Sequence, residues 1–148
     1  MMQRHILFLD FDGVLMIRRG KRYNEPSPVA FANLRMLLEA VPTLQIVICS
    51  SWRQRYPLDQ LRTLLAGLGI DRSRVVDVTP NHADNNRSDE IMAWLEANEW
   101  QGWVVFDDGI LNLEDGAQVR PYFRTGLLAA HCYAAMHRLG MVNTEVYP

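Results

Sequence analysis

At 148 residues the chain is long enough to enclose one real core and too short for a second domain of ordinary size. A hydrophobic share of 49% excludes long disorder, while a formal charge of -2 says little about partners. Arginine supplies all the basic residues except Lys21, which suits phosphate or carboxylate recognition but follows equally from biased base composition. Cys49 and Cys132 lie in apolar surroundings without metal-ligand spacing and read as small core residues of a reducing compartment. No apolar run approaches membrane-spanning length, and the N-terminal run meets Asp10 too early for a signal peptide. The expectation is a cytoplasmic protein that makes no membrane contact.

The first element is the apolar run Ile6–Leu9, which enters Asp10-Phe11-Asp12-Gly13. An apolar run without polar alternation is the mark of a strand buried on both faces, as in the centre of a parallel sheet. Its carboxyl end is the edge where open α/β sheets bind ligands. Two acids side by side there need a cation or a proton to coexist.

Residues 14–25 carry a basic, glycine-centred tip and are expected to form a flap hairpin. Ser27 and Pro28 then predict a helix start, with Phe31, Leu34, Leu37 and Leu38 on its apolar side and Pro42 beyond its end. Leu44 to Cys49 is the second buried strand and runs into Ser50-Ser51-Trp52-Arg53. Pro57 opens a further helix that closes at Gly67 and Gly69. Val75 to Val78 is a short strand, followed by a polar loop over residues 80–87. Ser88, followed by Asp89 and Glu90, is expected to open the next helix. Trp103 to Phe106 forms another buried strand ending in Asp107-Asp108-Gly109, and a weak strand follows near Val119. Thr125-Gly126-Leu127 is expected to open a last helix that reaches Leu139.

Strand and helix alternate throughout, which predicts one α/β domain over residues 1–148: a three-layer, Rossmann-like parallel sheet with helices on both faces. Such a sheet brings Asp10 and Asp12, Ser50, and Asp107 with Asp108 to a single crevice, and Arg87 stands just before a helix start. Taken singly, Ser50 could be a helix cap, Asp107-Asp108 a turn and Arg87 a solvated surface residue.

Together these residues resemble the haloacid dehalogenase (HAD) superfamily. Asp10-Phe11-Asp12-Gly13-Val14 looks like its first motif, Ser50 after Ile46–Cys49 its second, Arg87 its third, and Asp107-Asp108 after Val104–Phe106 its fourth. Ser50–Arg53, Arg87 with Glu90-Ile91 and Trp94-Leu95, Asp107-Asp108 and Thr125–Leu127 are further similar to the HAD domains of "Swiss Army Knife" RNA repair proteins.

The resemblance implies that Asp10 attacks a phosphoryl group to form an aspartyl phosphate, and that Asp12 protonates the leaving oxygen and then activates water. It also implies Mg²⁺ held by the Asp10 carboxylate, the Asp12 carbonyl and Asp107, with Asp108 either a further ligand or a support just behind the ligands. Ser50 and Arg87, with Gly13, Ser51 and Arg53 nearby, would hold phosphate oxygens. The third motif is more often a lysine in the superfamily, and here it is an arginine.

Neither the first motif nor the second is followed by room for a cap domain. An uncapped crevice resembles members that act on large substrates, so phosphorylated RNA or DNA ends are the expected partners. The flap bases Arg18, Arg19, Lys21 and Arg22 could meet a nucleic-acid backbone, with Trp52 or Tyr23 stacking a base. Two alternatives stay open: a small-molecule phosphatase or nucleotidase whose dimer partner covers the site, and a binding module without turnover.

Overall fold

The apolar run at the N-terminus becomes β1 (His5–Leu9), and every one of its five residues is buried. It lies between two parallel partners, β4 (Leu44–Ile48) and β6 (Gly102–Phe106), so both of its faces and both of its edges are covered. The computed structural model describes residues 4–141, and within the hairpin it leaves the side chains of residues 19 and 22–24 undescribed. The flap bases Arg19 and Arg22 and the stacking candidate Tyr23 therefore lie outside the described side chains.

Along the chain, β1 is followed by the antiparallel pair β2 (Met16–Arg19) and β3 (Arg22–Pro26), then by α1 (Pro28–Ala40). Ser27 caps α1 by accepting a hydrogen bond from the Ala30 amide at 3.1 Å, with Pro28 behind it at the first helical position. After β4 come a short 3₁₀ turn, Ser51–Gln54, and α2 (Leu58–Gly67). A second 3₁₀ turn leads into β5 (Val75–Val78), and α3 (Arg87–Ala97), β6, β7 (Gln118–Val119) and α4 (Ala129–Arg138) complete the order.

The main sheet runs β5-β4-β1-β6-β7, all parallel. Its two faces separate by strand alternation. Leu7, Leu9, Ile46 and Phe106 join a core built with α1, α2 and α4, whereas Ile6, Phe8, Val47 and Val105 pack with Ile91, Trp94 and Leu95 of α3. Strands are added outward from β1 through β4 to β5, and the chain then returns to the other side of β1 to lay down β6. That reversal puts a topological switch point between β1 and β6, where the connections leave in opposite directions and a crevice opens beyond the strand ends. Among the described residues no helix is long and apolar enough to cross a membrane.

Two helix starts differ from the sequence-based expectation. α3 begins at Arg87 and is capped by Asn86, whose side-chain oxygen accepts from the Asp89 amide at 3.1 Å, while the Ser88 hydroxyl accepts from the Asn112 amide. Asn and Ser are comparable caps, and the tertiary contact of Ser88 decides between them. α4 begins at Ala129: the Leu127 carbonyl accepts from the Asn33 side-chain amide at 3.0 Å, and the His131 amide turns to the Leu128 carbonyl at 3.1 Å, so the helical ladder does not reach back to Leu127.

Candidate active site at the β1–β6 switch point

The register across the sheet brings the chemistry together. Leu9 is level with Ile48 on one side and Phe106 on the other, so the residues immediately beyond emerge side by side at one edge. The Asp10 amide donates to the Phe106 carbonyl at 3.0 Å, and the Cys49 amide donates to the Leu9 carbonyl at 3.1 Å, which locks the three strand ends in step.

Asp10, Asp107 and Asp108 each offer a carboxylate oxygen within 4.8 Å of the others. Asp10 and Asp107 form the floor, 4% and 1% exposed, and Asp108 is half-buried beside them. Each floor acid is aimed by a backbone donor. Asp10 Oδ1 accepts from the Phe11 amide at 2.9 Å, and Asp107 Oδ1 accepts from the Gly109 amide at 2.8 Å. The remaining oxygens meet one guanidinium: Arg87 Nη1 stands 2.6 Å from Asp107 Oδ2 and 3.3 Å from Asp10 Oδ2. Three carboxylates against one arginine leave two negative charges in a half-dry pocket.

The electrostatics reflect that imbalance. Burial, and then the Asp107 charge, push the Asp10 carboxyl well above the usual carboxylate range in spite of Arg87. Burial and Asp107 likewise raise Asp108. Burial pulls the Arg87 guanidinium down, but the charges of Asp10 and Asp107, with the hydrogen bond to Asp107, more than offset this and raise it above its ordinary value. The buried Cys49 thiol behind the cluster is pushed far up, first by burial and then by the Asp107 and Asp10 charges. A divalent cation fits this donor set: hard oxygen ligands, close spacing, and the two charges that remain uncompensated.

Asp12 occupies a different environment. Its carboxylate does not join the three-acid cluster. Instead Asp12 Oδ1 accepts from the Trp52 indole N–H at 3.1 Å, and burial raises its pKa while that hydrogen bond and the neighbouring Arg55 hold it down. Trp52 is itself braced, edge-on to Phe11 at 5.4 Å and tilted against Tyr56 at 6.0 Å. The sequence singled out Trp52 as a base-stacking candidate. The structure spends its polar edge on Asp12, a contact that no local pattern announces.

The turn that follows Asp12 requires Gly13. It sits at φ +81, and a Cβ there would fall within the Asp108 carboxylate. Ser50 is fully buried at the end of β4 and caps the 3₁₀ turn by accepting from the Trp52 amide at 3.2 Å, which leaves its hydroxyl hydrogen for another acceptor. Ser51 is exposed at the start of that turn.

Arg53 does not face the crevice, which corrects its expected role in holding substrate. Its guanidinium turns inward and donates to the carbonyls of Cys49, Ser50, Thr79 and Pro80 at 2.9–3.1 Å, and it pairs with Glu90 at 2.7 Å. Both side chains of that pair are 2% exposed. The arginine therefore ties the ends of β4 and β5 to α3. The physical reason is local: strand ends leave buried carbonyls without ladder partners, and a long, planar donor is well suited to collect them.

No curated protein and no solved structure matches the chain. A family model does: the HAD domain in Swiss Army Knife RNA repair proteins, over residues 6–132. That span includes every strand end that builds the crevice. The chain therefore belongs to the family of HAD domains found in Swiss Army Knife RNA repair proteins, within a superfamily whose members are generally hydrolases of the phosphatase type.

Proposed function

We propose that the chain is a Mg²⁺-dependent phosphatase that removes phosphate from the ends of polynucleotides. The observation that carries the chemistry is the division of acids. Asp10, Asp107 and Asp108 share one under-neutralised pocket, while Asp12, two residues from Asp10, is held apart by Trp52. Two neighbouring carboxyls in different environments are suited to different tasks.

In this reading an Asp10 carboxylate oxygen attacks phosphorus as the ester P–O bond breaks, and the Asp12 carboxyl delivers its proton to the departing oxygen. Water then attacks the aspartyl phosphate and loses its proton to Asp12, so that inorganic phosphate leaves and both acids return to their starting states. The Asp10, Asp107 and Asp108 carboxylates and the Asp12 carbonyl would hold the ion. When bound, Mg²⁺ would supply charge neutralisation, letting an anionic phosphoryl group approach these carboxylates. Arg87 already lies against Asp10 and would stabilise the transferring oxygens, with the Ser50 hydroxyl as a further donor.

The substrate half of the proposal is supported by the family match and by the open crevice. The segment between the first motif and α1 is only the β2–β3 hairpin, and β4 passes through a 3₁₀ turn directly into α2. A large substrate would exclude water with its own bulk. The test is phosphate release with Mg²⁺ from terminally phosphorylated RNA and DNA, set against mononucleotides and sugar phosphates. Release from oligonucleotide ends that Asp10→Asn abolishes is the expected result. Turnover confined to small esters would remove the polynucleotide substrate, and release that persists in Asp10→Asn would remove the nucleophile.

A further inference from the structure

The loop that follows β7 takes no part in the chemistry above, yet it leaves the sheet at the edge where the acids stand. Its start is tied to the site: Arg120 donates from Nε and Nη2 to the Asp108 backbone carbonyl at 3.3 and 3.1 Å. Its end is pinned against the turn that follows Asp12. The Leu127 amide donates to the Val14 carbonyl at 2.8 Å, and Gly126, at φ +69, lies so close that a Cβ would come within 2.7 Å of that same carbonyl.

Between these anchors the loop presents aromatic rings among guanidinium groups. Tyr122 and Phe123 have ring centroids 4.8 Å apart. Arg124 stands over the Phe123 ring at 5.2 Å, and Arg18 reaches the same ring from the hairpin at 5.8 Å. Tyr122 is nevertheless 54% exposed, and Arg120 and Arg124 are exposed as well. The loop thus sets an exposed tyrosine against a phenylalanine whose ring two arginines, Arg18 and Arg124, also reach. Stacking faces with adjacent cations are what a single strand of nucleic acid needs: π-faces for its bases and positive charge for its phosphates.

We propose that residues 120–126 form a ledge that receives the nucleotide adjoining the terminal phosphate, with Tyr122 stacking its base and Arg124 meeting the next phosphodiester. This rests on the phosphatase reading for what happens at Asp10, and it adds where the strand lies. The ligand is single-stranded nucleic acid, and separate arms with 5′- and 3′-phosphorylated ends distinguish the polarity.

The test measures kcat/KM with Mg²⁺ for a phosphorylated single-stranded oligonucleotide and for p-nitrophenyl phosphate, in wild type, Tyr122→Ala, Tyr122→Phe and Arg124→Gln. The ledge predicts that the oligonucleotide-to-small-ester ratio falls about tenfold in Tyr122→Ala, mainly through KM, and is restored in Tyr122→Phe. Arg124→Gln should flatten the dependence of log KM on log salt by about 0.7, one phosphate contact's share for a single strand. A ratio that does not move in either variant overturns the ledge while the phosphatase reading stands. If wild type hydrolyses no ester, that reading fails first. Fluorescence anisotropy with labelled, unphosphorylated single-stranded RNA then decides the ledge alone: binding weakened in Tyr122→Ala supports it, and no binding overturns it. Equal displacement of the RNA by an acidic phosphopeptide would also overturn it, since charge alone would then explain the surface.

Discussion

Replacing Asp10 by asparagine should make the metal-free protein more stable while removing its activity. The amide keeps the acceptor that the Phe11 N–H uses and removes one of three crowded charges. At the 4.8 Å outer limit of the cluster and an effective dielectric of about 20, Asp10 is repelled by ~3.5 kcal/mol from each of Asp107 and Asp108. Arg87, at 3.3 Å, returns about 5 kcal/mol on the same basis. The balance is on the order of 2 kcal/mol against the charged form, before its burial is considered. In EDTA, Asp10→Asn should therefore melt about 4–8 °C above wild type, at ~2–4 °C per kcal/mol for a chain of this size. With Mg²⁺ the order should reverse. Wild type gains ~2.7 kcal/mol at a hundredfold excess over Kd, and the variant, short of one ligand, gains little. Thermal melts of both proteins with EDTA and with Mg²⁺, beside a phosphate-release assay, make the measurement. A variant that melts below wild type in EDTA, or that Mg²⁺ stabilises equally, would refute the claim that this cluster is an uncompensated metal site.

The same charges set a pH dependence. Asp10, Asp108 and Asp12 have carboxyl pKa values raised in the folded chain, so between the unfolded and folded values the native state binds more protons than the unfolded one. Stability in EDTA should accordingly rise as pH falls from neutral through the folded values, levelling off near the unfolded value of about 4, and Mg²⁺ should flatten that rise; urea titrations at several pH values read it. Trp52→Phe keeps the ring packing on Phe11 but loses the hydrogen bond that orients Asp12. Its kcat should drop about tenfold for alkyl phosphates, which need a proton delivered, and far less for aryl phosphates with good leaving groups; equal losses would deny Trp52 a positioning role. Arg53→Met strands Glu90 and four carbonyls in the interior, and should lower the unfolding free energy by about 3–5 kcal/mol in denaturant titrations, with Glu90→Gln recovering part of the loss.

Much of this molecule is legible along the chain because its central strands are buried on both faces. A strand such as Ile6–Leu9 has no polar alternation to confuse with a helix, and the residue that ends it must be the one at the ligand-binding edge. The same logic reads Asp107 from Val104–Phe106, and a run of alternating strands and helices determines a parallel sheet. Tertiary structure decided what no local window contains. Asp12 and Asp10 share a motif, but Trp52 arrives at the first while Arg87, Asp107 and Asp108 close around the second. Arg53 stands three residues from Ser50 and turns away from the crevice, because the carbonyls left over at two strand ends and the carboxylate of Glu90 lie behind it. Arg87 meets Asp10 and Asp107 across 77 and 20 positions of sequence, and the ledge over residues 120–126 exists only because Arg120 and Leu127 are tied to Asp108 and Val14. Periodicity and strand-end chemistry are properties of neighbours in sequence, and so they are written in it. Charge balance, cap choice and the direction of a long side chain depend on which distant groups arrive, and only the folded sheet determines that.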